Sequence, residues 1–219
     1  MSYYKEERGD LYYATKDQGG WRHSHIDIIG DVGRASSIAV DSNGFAHVSY
    51  IDSSNKTLRY AYQDAGGWHL IVVPAQGTID NYTAIVLDSD DNVHIAYHTH
   101  SGSDYSLMYA YNQDVNWNFE QIEGVIEGNA PFVYDAISIS IDSGDNPIVA
   151  YTGRKATMGG PGYSLRYARR SEEGWAVEFA EHLGGGYVTL TVDSADSPHV
   201  VYSSGRTDYV GPDLSLIHI

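Results

Sequence analysis

The sequence contains no cysteine, which excludes disulfides and thiolate chemistry outright. It is also short of positive charge: 13 Lys and Arg stand against 29 Asp and Glu, a formal net charge of −16. Phosphate contacts need clustered Lys and Arg, so no nucleic-acid partner is expected. An anionic membrane surface is disfavoured for the same reason. No stretch reaches the ~18 apolar residues of a membrane helix, so no membrane insertion is expected. The opening "MSYYKEERGD" lacks the apolar region of a secretory signal. Sustained helical periodicity is missing too. Against these absences stand 42% hydrophobic and 19% charged content, the balance of a globular chain, with 19 tyrosines and 23 glycines. Tyrosine favours strands and glycine favours turns, which points to an all-β protein.

The chain repeats itself. "SSIAVDSNGFAHVSYID" (36–52), "TAIVLDSDDNVHIAYHT" (83–99), "AISISIDSGDNPIVAYTG" (136–153) and "VTLTVDSADSPHVVYSS" (188–204) align on Asp41, Asp88, Asp142 and Asp193, spaced 47, 54 and 51 residues apart. A second block follows, "LYYA" (11–14), "LRYA" (58–61), "LMYA" (107–110) and "LRYA" (165–168). A third opens at Trp21, Trp68, Trp117 and Trp175, so every tryptophan occupies one repeat position. Each unit reads as four short strands separated by Gly, Asp, Asn and Ser turns. Four strands per repeat of about 40–50 residues is the pattern of a β-propeller blade. The expected fold is an all-β propeller of four-stranded antiparallel blades: complete blades at 35–74, 82–123 and 135–181, and partial blades at 2–29 and 187–213.

The register implies that the chain begins in mid-blade, with Met1 in the place of Val48, Ile95, Val149 and Val200. A GTG start codon inside a longer gene would give this, and the missing blades of the parent chain would then be partners of this one. After residue 213 the expected "SLRYA" strand is replaced by "LSLIHI" (214–219). Those residues are what a transposon-end sequencing adapter would encode, so the segment is expected to be a non-native tail.

The turns carry a family resemblance. "DSNGFAHV" and "DSDDNVHI" are similar to the turns of bacterial NHL-type propeller repeats, while "DQGGW" (17–21) and "DAGGW" (64–68) resemble shortened Asp-boxes of BNR and sialidase-like propellers. One residue is missing before the Trp, Thr15 and Tyr62 replace the leading Ser, and "DVNW" (114–117) and "EEGW" (172–175) are further from the pattern. The resemblance implies a propeller and assigns the Asp-box only a structural role: its Asp ties down turn amides, and its Trp lies between blades.

Chemistry is harder to place. "DSDDN" (88–92) mimics the start of an EF-hand loop, but Val93 stands where the loop needs Gly and Thr99 where it needs Glu. Because the turn recurs in every repeat, it is read as a backbone-bonding Asp turn. His94 aligns with His47 and His199 and belongs to the repeat, whereas His98 and His100 have no such counterparts. Two residues apart on a strand, they are weak metal candidates at the mouth of a loop; no metal or cofactor is expected. A sialidase-like site would need an arginine cluster and a Tyr–Glu pair, and no motif fixes such a set. Recurrent tyrosines such as Tyr50, Tyr97, Tyr151 and Tyr202 read as core.

The turns at one end of the blades are short and uniform; the loops at the other are long and variable. Function concentrates on loops held by a rigid scaffold. The expected ligand-binding residues are Arg34, Asp80, Tyr82, His98, His100, Asp104, Tyr134, Asp135, Arg154, Lys155 and Arg206. The expectation is a propeller module that binds a carbohydrate or protein ligand, from an extracellular or cell-surface bacterial protein. The alternative is a carbohydrate-active enzyme, a sialidase-like hydrolase or a polysaccharide lyase, completed by missing blades.

Overall fold

A computed structural model describes residues 1–79, 82–102, 104–113, 116–124, 136–157, 160–181, 184–204 and 214–218. Every helix or strand element among them is a β-strand. The first sheet holds β1 (Ser2–Lys5), β2 (Asp10–Asp17) and β3 (Gly20–Asp27). The second holds β4 (Val32–Val40), β5 (Ala46–Asp52), β6 (Thr57–Asp64) and β7 (Gly67–Val72). The third holds β8 (Thr83–Leu87), β9 (Val93–Ser101), β10 (Asp104–Gln113) and β11 (Asn116–Glu123). The fourth holds β12 (Ile137–Ile141), β13 (Pro147–Thr157), β14 (Gly160–Ser171) and β15 (Gly174–Glu181). The fifth holds β16 (Gly184–Val192), β17 (Pro198–Ser204) and β18 (Leu214–His218). Each sheet keeps its strands in chain order, as blades do. The segment read as a tail supplies β18, which pairs with β17 at Val200↔Ile217 and Val201↔Leu216.

The chain divides into two compact units, Met1–Thr99 with Ala110–Phe119, and His100–Tyr109 with Glu120–Ile219. In the first, Leu11, Ile26, Val32, Val48, Tyr50 and Ala61 form a buried cluster between the first and second sheets, with Tyr13, Ile38 and Trp68 against it. In the second, Ile148, Ala150, Leu165, Tyr167, Leu190, Val200 and Tyr202 do the same between the fourth and fifth. All seven residues of β5 are buried. The second strand of a blade is covered on both faces, so its apolar run does not alternate strictly with polar residues.

The aspartate turns are built alike in all four repeats. Asp88 Oδ1 accepts from the amides of Asp90 (3.0 Å) and Asn92 (2.8 Å). Asp41 does so from Asn43 and Phe45, Asp142 from Gly144 and Asn146, and Asp193 from Ala195 and Ser197. The second oxygen meets the repeat histidine: His94 at 3.2 Å from Asp88, His199 at 3.0 Å from Asp193, His47 at 3.5 Å from Asp41. Burial raises the Asp88 carboxyl, but the Asn92 side chain, His94 and two turn amides outweigh it and hold the pKa below the usual carboxylate range. The fourth turn residue has positive φ each time: Gly44, Asp91, Asp145 and Asp196. Asp91 and Asp196 put that strained position to use, because each reaches back to the preceding blade's turn. Asp91 accepts from the amide (2.9 Å) and hydroxyl (2.5 Å) of Ser42, and Asp196 from those of Ser143 (2.7 and 2.6 Å).

The Asp-Gly-Trp hairpins also follow one plan. Asp17 Oδ1 accepts from Gly19 N, and Asp64 Oδ1 from Gly66 N, both at 2.7 Å. The glycine before Trp21, Trp68 and Trp175 takes a φ open mainly to glycine, +109° at Gly20, +125° at Gly67 and +106° at Gly174, while Asn116 precedes Trp117. Three of the tryptophans pack edge-on against a tyrosine on the last but one strand of the preceding sheet: Trp68 on Tyr13, Trp117 on Tyr60, and Trp175 on Tyr109, at 5.4, 5.6 and 5.1 Å between centroids.

Candidate ligand-binding site

Arg34 is aimed by an irregular strand. The β4–β5 register shifts on both sides of it, and Gly33 before it has a φ of +101°. A side chain at Gly33 would bring its Cβ to 2.6 Å from that of the buried Leu11. The bulge turns Arg34 outward. Its Nη2 donates to the Tyr4 hydroxyl (3.0 Å), Nε lies 3.3 Å from Asp31 Oδ2, and the guanidinium sits 4.7 Å from the Tyr4 ring centroid. Tyr4 donates in turn to Asp31 Oδ1 at 2.7 Å, and that bond raises the phenol pKa. Arg34 and Asp31 stay about half exposed. The result is a ring, a cation and a carboxylate fixed together at the surface.

The other expected residues fare differently. Tyr82 is exposed, and its carbonyl accepts from His98 N at 3.3 Å. His98 corrects the expectation of a loop histidine. β9 runs to Ser101, and His98 is 1% exposed within it. Burial drives its pKa down to about 3, so the ring is neutral at pH 7. It occupies the place of Ile51 and Thr152, both fully buried. His100 is also in β9 and partly exposed; it stacks on Tyr105 at 4.9 Å and lies 3.2 Å from the Gly102 carbonyl. Asp104 is exposed at the start of β10. Arg154 and Lys155, expected in a loop, lie in β13 opposite Tyr163 and Gly162. The reason is common to both corrections: a ladder is made by backbone groups, so it continues where the apolar pattern of the repeat stops. Asp80, Tyr134, Asp135 and Arg206 lie outside the described residues.

A Tyr–Glu pair does exist. Tyr151 donates to Glu123 Oε2 at 2.8 Å, and Arg166 pairs with the other oxygen. The same tie recurs as Tyr50 to Asp27 Oδ2, also at 2.8 Å. In both cases a tyrosine of the sheet's second strand meets an acid at the end of the preceding sheet's last strand. Recurrence marks the pair as scaffold.

A groove that no motif of the sequence marks lies at the turn end of the first unit. It has a volume of about 700 Å³ and is flanked by Tyr60, Tyr62, Ile71 and Val72 of the second sheet and by Asp91, Asn112 and Trp117 of the third. The hydroxyl of Tyr60 is 2.6 Å from His47 Nδ1, and stacking runs from Tyr60 through Tyr62 to His69. The signal was available only as two departures from the repeat: Ile71 and Asn112 stand where the next repeat carries Glu120 and Arg170.

No protein-family profile matches the chain, and no curated protein matches it in sequence. Solved structures do resemble it. A protein of unknown function from Dyadobacter fermentans DSM 18053 gives a TM-score of 0.63 at 11% identity, over 95% of this chain and 72% of that one. An ulvan lyase of polysaccharide lyase family PL25 gives 0.60 at 12%, over 100% and 68%. The endo-arabinase of Bacteroides thetaiotaomicron VPI-5482 gives 0.53 at 11%, over 100% and 92%. The likeness lies in the fold: an all-β propeller, here with three four-stranded blades and a three-stranded sheet on either side of them in the sequence.

Proposed function

We propose that the chain is a carbohydrate-binding propeller module of a secreted or cell-surface bacterial protein. The observation that carries this reading is the Tyr4–Asp31–Arg34 cluster. A tyrosine with a cation held over its ring and a carboxylate on its hydroxyl, all at the surface, suits a sugar, whose hydroxyls meet charged and polar groups. The structural neighbours named as an arabinase and an ulvan lyase support a carbohydrate ligand. The turns add a finer reading: amide-binding Asp17 and Asp64, each followed by glycine and an inter-sheet or exposed Trp, suit degenerate Asp-boxes. A glycan array carrying neutral, sulfated and uronic chains tests the reading. Binding should appear and fall at least ten-fold in Arg34→Ala. An array with no bound glycan would sink it.

A second reading, a hydrolase or lyase, is favoured by those same neighbours. Release of new reducing ends or unsaturated uronates from a bound polysaccharide would establish it.

A further inference from the structure

We propose that the groove between Tyr62 and Trp117 is a binding site for a neutral oligosaccharide, separate from the Arg34 cluster. This rests on the carbohydrate-binding reading above. Two equivalent places in the fold differ in how they are filled.

In the second unit, the position between the third and fourth sheets is filled by an ion pair. Arg170 donates to both oxygens of Glu120, at 2.8 and 2.7 Å, and Trp175 Nε1 donates to the same carboxylate at 2.9 Å. All three groups are satisfied by one another. One repeat earlier, Trp117 keeps the tryptophan's place, but Ile71 replaces the glutamate and Asn112 replaces the arginine. Isoleucine accepts nothing, and asparagine does not reach as far as arginine. The pair cannot form, and the space it would fill is part of the open groove.

The exchange leaves polar groups unused. Asn112 Oδ1 is buried and has no hydrogen-bond partner among the described residues. Neither the Trp117 Nε1 donor nor the Tyr62 hydroxyl has a protein partner among them. An unmet buried acceptor is costly, and a ligand hydroxyl removes that cost. Donor, acceptor and hydroxyl beside the apolar Ile71 and Val72 match the alternating C–H and O–H surface of a sugar. The walls are held before any ligand arrives: Trp117 packs edge-on against Tyr60, and Tyr62 is stacked between Tyr60 and His69. Little side-chain freedom remains to be lost on binding.

Charge selects the ligand class. Among the described residues, no Lys or Arg lines the groove. His47 is buried, which lowers its pKa against the opposing pull of Asp41, so it supplies no cation at neutral pH. Both oxygens of Asp91 are taken by Ser42. In a chain of formal charge −16, such a site disfavours sulfated and uronic sugars.

The test closes the groove with the protein's own chemistry. Ile71→Glu with Asn112→Arg rebuilds the Glu120–Arg170 pair beside Trp117. Arabinohexaose and galactotetraose serve as neutral probes, followed by tryptophan fluorescence with Trp117→Phe assigning the signal, and by calorimetry. The wild type should bind at least one of them. The double variant, and Asn112→Leu alone, should weaken that binding at least ten-fold while the urea midpoint holds or rises. Equal affinity in wild type and double variant overturns the groove and leaves the carbohydrate reading standing. If the wild type binds only a sulfated or uronic chain on the array, the groove fails and the wider reading survives. If it binds no glycan, both fail.

Discussion

Ser42 in the turn of the second sheet is gripped through both its amide and its hydroxyl by Asp91 in the turn of the third. The clasp explains why an aspartate occupies a backbone position with φ of +63°, where a residue with a Cβ is normally penalised.

Two opposed effects therefore meet at Asp91, and substitution separates them. Asp91→Ala loses the clasp and keeps the strain; Asp91→Gly loses the clasp and relieves it. Alanine is expected to destabilise by about 1–2 kcal/mol, and glycine by roughly 1 kcal/mol less. Urea midpoints of the two variants check the order.

His98 makes the fold sensitive to mild acid. Its folded pKa, about 3, lies below the ordinary 6.5, so between those values the unfolded chain binds more protons than the folded one. Stability should fall as pH drops from about 6.5 towards 3. From pH 7 to 5 the loss is on the order of 2 kcal/mol. His98→Ile, which copies the equivalent Ile51, should flatten this slope. The depressed turn aspartates act in a lower window: their contribution is present above about pH 4 and is lost as pH falls through their folded values. Urea unfolding at pH 7, 5 and 3.5 separates the two.

Tyr50 and Tyr97 hold the same repeat position with different partners. Tyr50 donates to the buried Asp27, while Pro74 takes the acid's place in the repeat that precedes Tyr97. Tyr50→Phe strips a bond from a buried carboxylate and should cost about 1–3 kcal/mol. Tyr97→Phe should cost under ~1 kcal/mol. Chemical denaturation of the pair, read as a difference, checks the contrast.

The blades were legible because four copies of one pattern fix their own register. Asp41, Asp88, Asp142 and Asp193 mark first turns, and Trp21, Trp68, Trp117 and Trp175 mark last strands. The strands of the second sheet run from Val32 to Val72. His98 was misplaced because its side chain broke the apolar pattern, although Ile51 and Thr152 at the same position pointed inward. The Arg34 cluster was only half visible. Arg34 stood out as a loop cation, but its partner Tyr4 lies 30 residues away and meets it only once two sheets are side by side. The groove was hidden for the same reason: Ile71 and Asn112 belong to different repeats, and their mismatch appears only when the neighbouring pair Glu120–Arg170 is seen in contact.

The serine–aspartate clasp also bears on how such arrays change length. In Ser42–Asp91 and Ser143–Asp196 the donor comes from the earlier repeat and the acceptor from the later one. A repeat with both residues carries its own plug and its own socket. Adding or removing a repeat that carries both residues leaves a serine facing an aspartate at the new junction, whereas a second copy of the repeat with Gly44 in the acceptor's place would leave its junction unclasped.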